Sequence, residues 1–176
     1  MLPGEEKIDL LLSEEEVLKR IRELGAEIEK DYADREITFV ITLKGAVFFA
    51  CELAKRISRP VIFEFVRMSS YSGTKSTGTV TMTLDVDMEH IAGKDVIIIE
   101  DVIETGLTIA KLVEHIQSKN PASLKVCSFV DKHECRIVPF EAEYVGFTMG
   151  HEFLLGWGFD VDQMYRNLPY VGVVRQ

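Results

Sequence analysis

Four consecutive β-branched residues, Val96–Ile99, run directly into two acids, Glu100 and Asp101, and this stretch constrains the chain more than any other. A strand that is apolar on both sides needs cover on both faces, as a central strand of a parallel sheet has. Ile37–Thr42, Val61–Val66 and Ser123–Val130 read the same way, with shorter strands near Tyr144–Phe147 and Val171–Val174. Helical patterns lie between them. Ser13 to Glu16 forms a capping box, and Val17, Ile21, Leu24 and Ile28 then recur at helical spacing, although Gly25 weakens that helix. Ala46–Ile57 and about Ile109–Lys119 supply two more helices, the last ended by Pro121. Alternating strands and helices predict an α/β fold with a mostly parallel central sheet, formed by residues 1–176 as one domain.

The composition narrows the function classes. A length of 176 residues, 47% of them hydrophobic, suits one buried core. A net charge of −9 argues against broad nucleic-acid binding, which needs phosphate-neutralising Lys and Arg. No apolar run approaches the ~20 residues of a membrane span, so no membrane partner is expected. The acidic N-terminus lacks the basic and apolar regions of a secretory signal. Cys51, Cys127 and Cys135 lack framework spacing and fit reduced thiols of the cytoplasm; Cys51 and Cys127, within apolar stretches, are expected to be buried. His90, His115, His133 and His151 show no zinc-ligand spacing.

Two segments stand out from the scaffold. Arg67–Thr79 is a long polar loop rich in Ser, Thr and Gly, of the kind that is functional or mobile in compact domains. After it, Val80, Met82, Leu84 and Val86 alternate onto one strand face. The second segment is Val96–Leu112, in which Asp101–Thr108 reads as a loop leading into a helix. Ligands of open parallel sheets bind beyond the carboxyl ends of the strands, and a helix N-terminus suits a phosphate. Gly106 permits close backbone approach, Thr105 and Thr108 offer hydroxyls, and Glu100 with Asp101 could hold ribose hydroxyls or magnesium. As a bare pattern the segment equally suits a solvated acidic turn that caps a helix. It lacks the glycine signatures of dinucleotide-binding and nucleoside-triphosphatase loops.

The order of residues in this segment (hydrophobic strand, two acids, two apolar residues, Glu104, Thr105-Gly106, Leu107, Thr108) resembles the phosphoribosyl-pyrophosphate motif of the type I phosphoribosyltransferases. Four further segments are similar to the hypoxanthine-guanine branch of that family: Leu43–Leu53, Arg67–Gly78, Phe129–Lys132 and Glu152–Val174. The resemblance covers nearly the whole chain beyond the first helix. It implies a central sheet with a small hood built from the N- and C-terminal segments. It also implies a magnesium-dependent transfer of phosphoribosyl from its pyrophosphate to a 6-oxopurine. By resemblance, Glu100, Asp101, Thr105, Gly106, Leu107 and Thr108 bind phosphoribosyl, and Lys44, Gly45 and Arg166 bind pyrophosphate, with a cis Leu43–Lys44 peptide. Lys132, Phe153, Leu154 and Asp160 bind the purine, in a segment of about 144–176. Glu104 assists at purine N7, Ser70 and Tyr71 belong to a lid of about 67–79, and magnesium is held by Glu100, Asp101 and Asp160. A homodimer or homotetramer in the cytoplasm is implied as well.

The chain departs from the family at three places. Glu104 replaces a usual Asp, Leu107 stands where polar or basic residues are common, and Gly150 replaces a Pro before Phe153. The departure at Glu104 keeps open a regulator that binds nucleotide without turnover, and the base contacts keep open an enzyme acting on xanthine.

Overall fold

The computed structural model describes residues 8–70 and 80–174. In chain order the elements are β1 (Ile8–Leu12), α1 (Glu14–Tyr32), β2 (Ile37–Thr42), α2 (Ala46–Ala54), β3 (Val61–Ser70), β4 (Val80–Leu84), β5 (Asp95–Ile103), α3 (Leu107–Gln117), β6 (Ser123–Asp131), β7 (Tyr144–Thr148), β8 (Leu154–Leu155) and β9 (Val171–Val174). Six of the strands form one sheet in the order β4-β3-β2-β5-β6-β7. All its pairings are parallel except the β3–β4 edge.

The unbroken apolar run of β5 is explained by cover on both faces. Ile97 and Ile99 enter a core shared with α1 and α2, while Val96 and Ile98 enter a second core shared with α3. All four are fully buried. Full burial of such side chains stabilises by roughly 1.5–3 kcal/mol each, so the strand that leads into the two acids is firmly anchored. β2 lies beside β5, and its Phe39 and Ile41 face the first core while Val40 faces the second.

At α1 the capping box forms as expected: the Ser13 amide donates to Glu16 at 2.8 Å and the Glu16 amide donates to Ser13 Oγ. Gly25 does not break the helix. A side chain there would meet Arg56 Cβ at 2.5 Å, so glycine lets α1 approach the end of α2.

β1 pairs antiparallel with β9, which pairs with β8, giving a separate three-stranded sheet. This is the hood of N- and C-terminal segments, although neither β1 nor β8 was legible as a strand in the sequence. β8 is only two residues long, and β1 sits among acids with no clear alternation.

Several boundaries differ from expectation. Arg67–Ser70 continues β3 rather than opening a loop, because β4 pairs with it; the polar segment that follows, with Tyr71, lies outside the described residues. Leu84 is 44% exposed at the sheet edge, unlike its expected partner Val86. Asp101–Ile103 continues β5, since Val102 and Ile103 pair with β6, and α3 begins at Leu107 rather than Ile109. The second helix stops at Ala54. Cys127 is buried as expected, but Cys51 is exposed. The inner face of α2 is already occupied by Ala46, Phe49, Ala50 and Leu53, which turns Cys51 outward. No helix among the described residues is long and apolar enough to cross a membrane.

Candidate active site

β2 sends the chain one way along the sheet to β3, and β5 sends it the other way to β6. The loops that follow these two neighbouring strands therefore diverge and leave a crevice at their carboxyl ends, the usual ligand position in such sheets. The loop after β2 holds Lys44 and Gly45; the turn after β5 holds Glu104, Thr105 and Gly106. The Leu43–Lys44 peptide is cis, in agreement with the resemblance. Gly45 is required by close packing: a Cβ there would lie 1.5 Å from Asp101 Oδ2.

Two hollows open in the crevice and meet at Val102 and Glu104. The first, about 240 Å³, is lined by Glu100, Val102, Ile103, Glu104, Thr105, Gly106, Thr108 and Ile109. Gly106 caps α3 at φ 82°, a left-handed conformation that favours glycine, so the backbone turns tightly into the helix. The N-terminus of α3 contributes the positive end of its dipole to this hollow. Leu107 points its apolar side chain to solvent, 41% exposed, so only its backbone suits a phosphate.

Glu100 and Asp101 lie in the last part of β5, half-buried and side by side. Thr42 Oγ1 donates to Glu100 at 2.9 Å, and the Val102 amide donates to Asp101 at 2.9 Å. Burial, with the neighbouring carboxylate second, holds Glu100 well above the usual glutamate range. Burial also raises Asp101, opposed by its hydrogen bonds and by Arg166. A site that buries two carboxylates together is arranged for a ligand rather than for stability. Glu100→Gln is therefore expected to raise the Tm of the free protein by about 2–4 °C at neutral pH, as ~1 kcal/mol does in a domain this size. The unfolded glutamate ionises near 4.5, whereas the native one keeps its proton to higher pH. Wild-type stability thus falls as pH rises through that window, and glutamine does not titrate. Thermal melts should show a gap that widens with pH above 4.5 and closes below it; a constant gap would contradict the assignment.

The second hollow, about 190 Å³, is lined by Asp101, Val102, Glu104, Lys132, Phe153, Leu154, Phe159 and Asp160. Lys132 is not a solvent lysine. Its side chain is 7% exposed, and its ammonium donates to Glu104 Oε1 at 2.5 Å. Phe153 is not a core ring but is 64% exposed at the mouth of the hollow, while Leu154 beside it is buried.

Above these hollows the C-terminal segment folds back on the Lys44 loop. Lys44 Nζ donates to Gln163 Oε1 at 2.8 Å, and the Gln163 amide donates to Asp160 Oδ2 at 2.9 Å. Asp162, Gln163 and Tyr165 have φ of 51°, 68° and 73°, a cluster of strained non-glycine backbone. Arg166 pairs with Asp160 at 2.5 Å and donates to the Gly158 carbonyl at 2.6 Å.

The expected set is therefore brought to one crevice, except for Ser70 and Tyr71. Ser70 ends β3 and Tyr71 lies outside the described residues, so neither is placed in the site. Among the described residues no group of three or more His, Cys, Asp or Glu side chains is gathered closely enough to hold a metal ion by side chains alone. Asp160 lines the second hollow with Asp101 and is engaged there by Arg166 and Gln163. Sequence reasoning missed Thr42, Val102, Asp131, Gln163 and Arg136. Of these, Arg136 carried a faint signal, one helical turn beyond Lys132.

A parallel sheet with an acid-tipped central strand, a glycine turn into a helix and a hood above defines a phosphoribosyltransferase of the type I architecture. Residues 8–163 match the phosphoribosyl transferase domain model, and the chain belongs to that family. It is 43% identical to a hypoxanthine-guanine phosphoribosyltransferase of Streptococcus thermophilus, over 95% of this chain and 93% of that protein. It is 39% identical to a hypoxanthine-guanine-xanthine phosphoribosyltransferase of Tritrichomonas foetus, over 95% and 91%. Among solved structures, a hypoxanthine phosphoribosyltransferase from Staphylococcus aureus superposes with a TM-score of 0.91 at 39% identity, covering 97% of this chain and 94% of that one.

Proposed function

We propose that this chain is a hypoxanthine/guanine phosphoribosyltransferase of purine salvage, transferring phosphoribosyl from its pyrophosphate to N9 of a 6-oxopurine. The observation that carries the reading is the Lys132–Glu104 pair at the junction of the two hollows. A 6-oxopurine in its N7–H form presents an acceptor, O6, next to a donor, N7–H. An ammonium and a carboxylate 2.5 Å apart offer the complementary edge.

In this reading Phe153 stacks on the purine and the Leu154 backbone contacts its edge. Glu100 and Asp101 hold the ribose hydroxyls, and the Thr105–Thr108 turn holds the 5-phosphate. Lys44, Gly45 and Arg166 face pyrophosphate. N9 attacks the anomeric carbon as the bond to pyrophosphate breaks, and the leaving group departs with the electron pair. The N7 proton passes to Glu104. Positive charge developing at the anomeric carbon lies near the anionic end of β5. The lid residues Ser70 and Tyr71 keep water from the anomeric carbon.

Magnesium is a hard cation usually held by one or two carboxylates, with substrate phosphates and water completing the shell. Glu100 and Asp101 fit that partial role, and Asp160 fits it through water. When bound, the ion supplies positive charge to the pyrophosphate oxygens. The family resemblance also supports a homodimer or homotetramer in the cytoplasm.

The test is initial rates with phosphoribosyl pyrophosphate, magnesium and each of hypoxanthine, guanine, xanthine and adenine, with Glu104→Asp alongside. Magnesium-dependent turnover of 6-oxopurines is expected, with adenine rejected. The shorter side chain withdraws from Lys132, so the variant should change kcat by up to ~100-fold, the scale on which a 1 Å displacement acts. A parent without turnover and an active variant would instead favour a nucleotide-binding regulator.

A further inference from the structure

The turn between β5 and α3 is held from its far side by a buried arginine with no role in the scheme above. Arg136 follows β6 closely, in the segment that begins at Lys132. Its side chain is 9% exposed and pairs with Asp131, 8% exposed. Arg136 Nη1 donates to the Ile103 carbonyl at 2.7 Å and to the Glu104 carbonyl at 2.5 Å. The backbone of the same segment completes the contact. The Lys132 amide donates to Ile103 O at 3.0 Å, and the Ile137 and Val138 amides donate to Thr105 O at 2.9 and 3.2 Å.

Every carbonyl from Ile103 to Thr105 is thus drawn toward one segment. The turn is left to present Thr105, Gly106 and Thr108 to the phosphate hollow. The contact is also tight: a side chain at Gly106 would meet Val138 O at 3.0 Å and Arg136 Cδ at 3.4 Å.

We propose that Arg136, anchored by Asp131, is a positioning residue for phosphoribosyl pyrophosphate. It sets the shape of the phosphate turn and of the Glu104 backbone. Because Asp131 immediately precedes Lys132, the same clamp ties that turn to the residue that reads the base. The guanidinium meets the carboxylate from one nitrogen and the two carbonyls from another in fixed directions, which a single ammonium cannot reproduce, so lysine should replace it poorly. Without it, buried acceptors and an unpaired carboxylate would be left behind.

This inference rests on the proposed activity, so the experiment separates the two. Binding of phosphoribosyl pyrophosphate, with magnesium and without base, is measured by calorimetry for the wild type, Arg136→Met, Arg136→Lys and Asp131→Asn. The wild type should bind; if it does not, the proposed activity fails and this role falls with it. Arg136→Met should weaken binding by about 10–100-fold, with Arg136→Lys recovering only part. In steady state the loss should fall on KM for phosphoribosyl pyrophosphate more than on kcat. Wild-type affinity in Arg136→Met, with only its Tm lowered, would make the arginine merely structural and overturn the proposal. If Arg136→Met does not fold, Asp131→Asn decides: a raised KM supports the clamp, and an unchanged KM overturns it.

Discussion

Arg166→Ala should lower kcat/KM for phosphoribosyl pyrophosphate by about 100–1000-fold, the usual consequence of removing one preorganised donor to a developing anion. Arg166 is suited to that task because its guanidinium is already fixed, by Asp160 at 2.5 Å and by the Gly158 carbonyl at 2.6 Å. Neither contact occupies all five of its donors, so the fork can still meet a pyrophosphate bidentately. Arg166→Lys should recover little, since one ammonium cannot keep both the Asp160 contact and the fork. The fold should survive, because Asp160 keeps the Gln163 amide as a donor. Initial rates over a range of phosphoribosyl pyrophosphate, with melts of the same samples, check this. Unchanged kcat/KM in Arg166→Ala would remove the residue from pyrophosphate binding.

What was legible in the sequence follows from how local the determinants are. Val96–Ile99 announced a strand covered on two faces because covering both sides leaves no polar position in the alternation, and the structure fills those faces with α2 and α3. The capping box of α1 and the glycine turn before α3 are also local, and both lie where the chain placed them. The misses depend on partners distant in sequence. β1 exists because β9 pairs with it from the other end of the chain. The loop read from Asp101 begins only at Glu104, because β6 extends the ladder to Ile103. The polar segment after Val66 began too early for the same reason, with β4 returning alongside Arg67–Ser70.

The site divides in the same way. Residues of contiguous motifs, such as Glu100 to Thr108, could be recognised together, but the contacts between motifs could not. The pairing of Lys132 with Glu104 joins residues 28 apart in the sequence, and Lys44 meets Gln163 across 119. The surroundings of Asp160 were hidden for the same reason. Asp160 belongs to the arginine and glutamine of its own segment, which a list of acids does not reveal.

The second large effect concerns the choice of base. The wild type should use hypoxanthine over adenine by a factor of about 10⁴ or more, the discrimination reached where a wrong substrate leaves a buried polar group unpaired. At this site the group is Lys132, whose side chain is 7% exposed and whose ammonium pairs with Glu104. Adenine would bring an amino donor against that ammonium, leaving it unsatisfied and the two donors opposed. Lys132→Met keeps the length and apolar character of the stem while removing the charge. Its partner Glu104 is 50% exposed, so the lost pair does not strand a buried carboxylate and the variant should fold. Turnover of hypoxanthine should fall by about 100–1000-fold in kcat/KM. Turnover of adenine should barely move, because in the wild type Lys132 gives it no favourable contact to lose. The ratio between the two bases therefore collapses from one side only. Competition assays with both bases present measure that ratio directly. If both rates fell together, Lys132 would be supporting Glu104 rather than reading the purine, and base choice would have to reside in Phe153, Leu154 and the walls of the second hollow.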